Sequence, residues 1–418
     1  MAAHPNRNKL CKNVISQYGL QLAKYILPLV TLPYLARVLG NDGYGIRAFV
    51  LSVMTFMQCF FDFGFGMSAT EDVIRCREDK KAVGKIVGEV YQARVILFVL
   101  LGIVLYGMTE FVPLLNQNKV YTVLAFLAVA INAFLPDFVF MGYEQMAILT
   151  TRYVVSKLVG TILIFVLIKA PADLLFVPVS DIVTSIIGLT WTIFSMKKNY
   201  NISVVFGTFY DSVRCLRKSF LYFISNLSST AFNSYTTFAI GAFITSPLDI
   251  SYWSISLSVV NALQSLYPPV FNSLYPHMIA NKDVGLIKKI GSIAFPIISI
   301  LTIALVIMSK PIMCILGGSS YLPGAYIISW LAPLLLISFY STFFGWPTLG
   351  AYGYVKELTK STLFSGLFNV IVITIFGFAG CLKIATVVAI RLMTEAILLV
   401  SRGKYLLKYR KEIFSAKA

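Results

Sequence analysis

The chain has 418 residues, 58% of them hydrophobic and 13% charged, with a mean hydropathy of +0.79. A soluble domain carries roughly 25% charged residues, so a globular enzyme built around one buried core is excluded in favour of a chain that crosses a membrane many times. The formal net charge of +17 would point to nucleic acid in a soluble protein, but here it follows the topology.

A crossing helix needs about 20 mostly apolar residues. Such runs predict twelve spans, over 14–37, 44–66, 86–108, 120–141, 153–169, 174–196, 219–245, 250–275, 291–316, 323–352, 361–381 and 384–407. The first follows a polar, basic start with no small-residue cleavage site, so it is expected to act as its own insertion signal. Spans 1 and 2 are joined by a Gly-rich external turn, Gly40–Gly45, and span 2 ends at Asp62-Phe63-Gly64. Span 10 is interrupted by Pro333 and Pro347. Pro28 and Pro33 in span 1, and Pro268 and Pro269 in span 8, remove backbone hydrogen bonds and predict bends.

Charge placement sets the orientation. With both termini cytoplasmic, most of the 35 Lys and Arg fall in inside segments, Arg152, Lys157 and Arg402 among them. The outside keeps Arg37, Arg47, Lys119, Lys169, Lys310 and Lys383. The positive-inside rule is obeyed, and the excess charge reads as topology and contact with cytoplasmic lipid, with no nucleic-acid partner. The longest connection divides the chain into an N-terminal lobe (1–198), a basic cytoplasmic linker (199–218) and a C-terminal lobe (219–418) with a basic tail. Shifting by half the chain brings Asp42-Gly43-Tyr44 near Asp249-Ile250-Ser251-Tyr252, each in a tight external turn. The expected fold is an all-α polytopic membrane protein of two six-helix lobes, related by pseudo-two-fold symmetry around a central cavity. Transporter folds place substrate at such repeat interfaces.

The six cysteines form no C-x-x-C pair, and His4 and His277 stand far apart. No disulfide framework, metal site or cofactor is expected. No Walker sequence is present, which removes ATP hydrolysis as the energy source.

Polar residues recur at helical spacing in four spans. Span 1 carries Asn13, Gln17, Gln21, Lys24 and Thr31, and span 2 carries Ser52, Thr55, Gln58 and Asp62. Span 7 carries Asn226, Thr230, Asn233 and Thr237, and span 8 carries Ser254, Ser258, Asn261, Ser265 and Asn272. Each set lies on one helical face. Interhelical hydrogen bonding is one reading; a water-filled cavity between the lobes is the other, favoured because the stripes run the length of each helix. Lys24 falls near mid-span, where a cation costs about 2.5–3.5 kcal/mol. Either Asp62 or Asp137 pairs with it, or it is left for an anionic substrate, with Arg94 extending the positive field. Arg37 is read as snorkelling at the outer interface. Arg391 and Glu395 stand one turn apart and are expected to pair; Asp62, Asp137 and Glu395 are the candidates for ion coupling.

The stretch Ile26-Leu27-Pro28-Leu29-Val30-Thr31-Leu32-Pro33-Tyr34-Leu35-Ala36-Arg37-Val38-Leu39-Gly40, with Gly43-Tyr44-Gly45, Asp62-Phe63-Gly64-Phe65 and Ser68-Ala69-Thr70, resembles the opening of the O-antigen and polysaccharide-unit flippases. These form the polysaccharide transport branch of the multidrug/oligosaccharidyl-lipid/polysaccharide exporter superfamily. Pro136-Asp137-Phe138-Val139-Phe140-Met141-Gly142-Tyr143-Glu144-Gln145-Met146 is similar to that family's P-D-W-x-F-Q-G-x-E-x-M, with Phe138 in place of Trp and Met141 in place of Gln. The resemblance covers about the first 150 residues. It implies a flippase that moves an undecaprenyl-diphosphate-linked glycan to the periplasmic leaflet of a bacterial inner membrane by alternating access. A polysaccharide polymerase and a chain-length regulator are its implied partners. On that reading Lys24 meets the diphosphate, and Gln17, Gln21, Asn226, Asn233, Asn261 and Asn272 meet the sugars. A cation-coupled multidrug exporter of the same superfamily is the second reading and a membrane glycosyltransferase the third.

Overall fold

The computed structural model describes residues 7–410; the side chains of most residues before Thr31, and of some within 225–233 and 272–281, are outside that description. Every regular element among the described residues is helical. Nine stretches there are long and apolar enough to cross a membrane, and they coincide with expected spans 2 to 6 and 9 to 12. Expected spans 1, 7 and 8 each include undescribed side chains. The chain forms two compact units, one holding residues up to Leu39 and Phe49–Thr230, the other Gly40–Ala48 and residues from Ala231 onward.

Helix α1 (Arg7–Asp62), which belongs to the first unit except over Gly40–Ala48, is helical on both sides of one non-helical residue, Gly40, at φ 68° and ψ −176°. The expected six-residue turn is therefore a single glycine, because a positive φ is open to glycine without a Cβ clash and Asn41 onward resumes the helix. After Asp62, Phe63 and Gly64 adopt positive φ (37° and 77°), and α2 (Phe65–Cys76) begins. The Phe63 ring stacks on Phe223 at 4.5 Å and 8°. Gly64 lies against Ser219 and Phe223 with no room for a side chain.

Next comes α3 (Lys80–Phe111), capped by the Asp79 carboxylate, which accepts from the amides of Lys81 (2.9 Å) and Ala82 (3.1 Å). Such a cap is worth about 1 kcal/mol. Pro113 opens the short α4 (Pro113–Gln117), and α5 (Lys119–Ala133) and α6 (Asp137–Gly142) follow. Span 4, expected as one helix, is broken between them: Pro136 has no amide to donate and turns Leu135 away from helical geometry. Helix α7 (Met146–Leu167) starts earlier than the expected residue 153. Arg152 and Lys157, read as loop residues, lie inside it, and Arg152 is buried. Helix α8 (Phe176–Tyr200) packs on α5 and α7, and α2 packs on α6.

Asn201, in the left-handed region at φ 51°, ends α8. The connection that follows is strapped to α3. Val205 donates its amide to the Gly84 carbonyl (3.0 Å), and the Gln92 amide both donates to and accepts from the Gly207 backbone (2.9 and 3.2 Å). Gly84 and Gly88 press against the Ser203 and Val205 carbonyls, where a Cβ has no room.

Helix α9 (Phe209–Phe243) begins in the first unit and ends in the second. Ser246 caps α10 (Pro247–Gln264) by accepting from the Asp249 amide (3.3 Å), with Pro247 in the first turn. The chain breaks again before Pro268 and Pro269, so span 8 is divided into α10 and α11 (Tyr267–Asn281). Then follow α12 (Val284–Ile307), α13 (Ser309–Gly317), α14 (Ala325–Leu331) and α15 (Pro333–Phe343). A π-helical turn at Phe344–Gly350 leads to α16 (Val355–Phe378) and α17 (Ile384–Lys408). The interruptions expected in span 10 are present: Pro333 starts α15, and Pro347 lies in the π turn. Gly45 abuts the Pro247 backbone, and Trp253, fully buried, donates to Thr237 (3.1 Å).

Candidate functional site

Lys24 is exposed on α1, with Nζ 5.8 Å from the centroid of the Tyr153 ring on α7. Both acids weighed as its partner are engaged elsewhere: Asp137 by Arg152, and Asp62 by Gln58, whose amide donates at 2.9 Å. The side chains of Gln17, Gln21, Asn233 and Asn272 lie outside the described residues. Asn226 on α9 and Asn261 on α10 are exposed.

The hydroxyls of the polar stripes behave differently from the amides. Thr31 donates to the Pro28 carbonyl (3.1 Å), Ser52 to Phe49 (2.6 Å), Thr55 to Leu51 (2.8 Å), Ser258 to Ser254 (2.7 Å) and Ser265 to Ala262 (2.6 Å). A helical hydroxyl satisfied by its own backbone requires neither a neighbouring helix nor water. Lys24, Asn226 and Asn261 are exposed on the same faces.

Two other charges inside spans are part of the fold. Arg152, 6% exposed, donates from Nη2 to Asp137 Oδ2 (2.9 Å), and its Nη1 stands 2.9 Å from Oδ1 as an ion-pair contact. A hydrogen bond between two charged groups is stronger than a neutral one. Arg94, 4% exposed, donates to the Leu135 carbonyl (3.2 Å) and lies over the Phe65 and Phe138 rings at 5.6 and 6.0 Å. Arg94, expected to extend a positive field toward an anionic substrate, has its charge enclosed by the broken end of α5 and two aromatic faces. The Pro136–Met146 motif is accordingly a corner. Phe138 and Phe140 are buried, Gly142 abuts Val73, and the Tyr143 hydroxyl donates to the Arg77 carbonyl (2.7 Å).

In the second unit, Glu395 is buried and accepts from the Ser341 hydroxyl (2.9 Å), with Arg391 Nη2 at 3.9 Å from its other oxygen, as the one-turn spacing predicts. Arg402, read as part of the basic tail, is buried beside them. It donates to the Ser341 carbonyl (2.6 Å) and the Thr362 hydroxyl (3.0 Å), and it approaches Gly345 in the π turn. The overlooked signal is spacing: 391, 395 and 402 differ by four and seven, which puts all three on one helical face. Nearby, Thr394 donates to Asn369 (3.3 Å), whose amide donates to Thr236 (3.4 Å).

The family model described as "Polysaccharide biosynthesis protein" matches residues 10–282. A protein of Escherichia coli (strain K12) named "Putative O-antigen transporter" is 28% identical over an alignment of 418 residues, covering 96% of this chain and 99% of that one. A Shigella dysenteriae protein of the same name is 21% identical, covering 76% of this chain and 81% of that one. Among solved structures, the lipid II flippase MurJ in an inward closed conformation matches with a TM-score of 0.66 at 15% identity, covering 96% of this chain and 87% of that one. An inward-facing multidrug resistance MATE family transporter of the MOP superfamily matches with a TM-score of 0.62 at 13% identity, covering 94% of this chain and 100% of that one. At such identities the likeness to solved structures is one of fold. The family match, which takes in well over half of the residues, is one of descent: this chain belongs to the polysaccharide biosynthesis protein family.

Proposed function

We propose that this protein is a flippase that carries an undecaprenyl-diphosphate-linked oligosaccharide, of the O-antigen repeat-unit type, from the cytoplasmic to the periplasmic leaflet of a bacterial inner membrane. A glycan cannot cross hydrocarbon unaided, because each unpaired polar group costs several kcal/mol there. A path lined by hydrated side chains removes that cost, while the polyprenyl tail stays in lipid. The observation that carries the reading is Lys24, an exposed cation in the first span set against an aromatic face. A diphosphate needs such a fixed positive charge, whereas cationic drugs would be repelled by it. The E. coli relative's name and the fold shared with a lipid II flippase support the same assignment.

On this reading the chain makes twelve crossings with both termini in the cytoplasm and works by alternating access. Gln17, Gln21, Asn226, Asn233, Asn261 and Asn272 offer hydrogen bonds to sugar hydroxyls. Of the three acids, Asp62 is the first to test for gradient coupling, since Asp137 and Glu395 are held by arginines. In a strain lacking the native gene, Lys24→Ala abolishes surface polysaccharide while the protein still inserts, and Lys24→Arg keeps it. Normal polysaccharide from the alanine variant would overturn the assignment.

A further inference from the structure

A groove of about 580 Å³ opens where α3 begins, lined by Lys80, Lys81, Lys85, Asn201, Ser203 and Val205. Its walls are held in register, because the 201–208 connection is tied to α3 by the Val205–Gly84 and Gln92–Gly207 hydrogen bonds. This connection and the first turn of α9 turn large aromatic side chains outward: Phe206 is 66% exposed, Phe209 71% and Tyr210 68%. Length fixes the depth of this region. The 32 residues of α3 extend about 48 Å, whereas the hydrocarbon core is about 30 Å thick. Exposed apolar residues such as Val99, Ile103 and Val104 mark the distal part as lipid-facing. The overhang is therefore the charged end, from Lys80 to Gln92, and the strap crosses it at headgroup level.

We propose that this groove is a binding site for the phosphate of an anionic phospholipid, with Lys80 and Lys81 as the cationic contacts and Phe206, Phe209 and Tyr210 seated at the headgroup boundary. Aromatic rings favour that boundary, and lysines near an anionic leaflet are attracted to it. Of the nearby acids, Glu78 is exposed two residues from Lys80, and three others are engaged. Asp79 caps α3, while Glu89 and Asp211 flank Lys85 at 3.7 and 3.9 Å. The charge presented to a phosphate therefore comes from Lys80 and Lys81. The inference goes beyond the flippase reading and rests only on the membrane-spanning fold, so loss of either leaves the other standing.

The test uses the full-length protein carrying Phe206→Trp, reconstituted in vesicles of phosphatidylglycerol or phosphatidylcholine brominated along the acyl chains, with the parent protein as background. The introduced tryptophan is expected to be quenched in both lipids, showing that the strap lies at the membrane boundary. In mixed vesicles, brominated phosphatidylglycerol should quench it more strongly than brominated phosphatidylcholine. Lys80→Gln with Lys81→Gln should reduce that preference by roughly fivefold per lysine, while the thermal midpoint stays with the parent. Absence of quenching, equal quenching by the two lipids, an unchanged preference in the double variant, or displacement by millimolar inorganic phosphate would each overturn the proposal. The last outcome would make the groove a site for free anions.

Discussion

Lys24 and Arg152 are cations of the same compact unit, both carried on helices, and they meet opposite fates. Arg152 is buried and paired with Asp137. Lys24 is exposed, with its Nζ 5.8 Å from the centroid of the Tyr153 ring. Removing Arg152 leaves Asp137, whose side chain is 39% exposed, without its hydrogen-bonded partner and costs about 1.5–3 kcal/mol. An exposed cation–aromatic contact is worth about 0.5–1 kcal/mol. A charge inside a span is therefore not by itself a mark of function. Truncating a fold-bearing cation shows in stability, whereas truncating a working one shows in transport.

The contrast is sharpest with Arg152→Ala, which should lower stability by about 1.5–3 kcal/mol and deplete folded protein; a thermal midpoint equal to the parent's would dissolve the distinction. Gly88→Val forces a side chain against the Val205 carbonyl. It should cost about 1–3 kcal/mol, read as a lower midpoint together with faster proteolysis of the 201–208 strap. Arg402→Lys keeps the charge but not the fork geometry, and should cost about 1 kcal/mol for each hydrogen bond lost, measured by denaturation in detergent. Lys24→Ala should cost under about 1 kcal/mol and yet stop transport; a large fall in stability would move Lys24 to the Arg152 side.

The smallest effect concerns pH at the strap. The amide and hydroxyl of Thr208 donate to Asp211 and hold its carboxyl below the usual carboxylate range. A carboxyl depressed in the folded state contributes stability above its unfolded value of about 3.9 and loses it as pH falls through the folded value. The protection factor of the Thr208 amide should therefore be flat from neutral pH to about 4 and drop below that. Asp211→Asn should remove the drop.

Much of the fold was legible because its signals are local. Apolar runs located the span at 86–108 inside α3 and those at 174–196 and 361–381 to within three residues of α8 and α16, and Pro333 and Pro347 marked real interruptions. Pro136 was read as a motif residue and not as a break, although its missing amide carries that information. The Gly-rich turn was read as six residues, whereas the backbone needed a positive φ only at Gly40. The site was less legible. Periodicity found the polar faces, but it could not tell that the hydroxyls of Thr31, Ser52, Thr55, Ser258 and Ser265 are satisfied within their own helices, nor that Arg94 is enclosed.

The sequence by itself determined that this is a many-span membrane protein, where most of its helices run, and to which family it is similar, since run length, punctuation and motif are properties of neighbouring residues. Only the tertiary structure decided which charges belong to the fold. Burial and pairing join residues distant in the chain, as Arg94 joins Leu135 and Arg402 joins Ser341 and Thr362. A cation's cost depends on whether those distant partners replace the water it has lost.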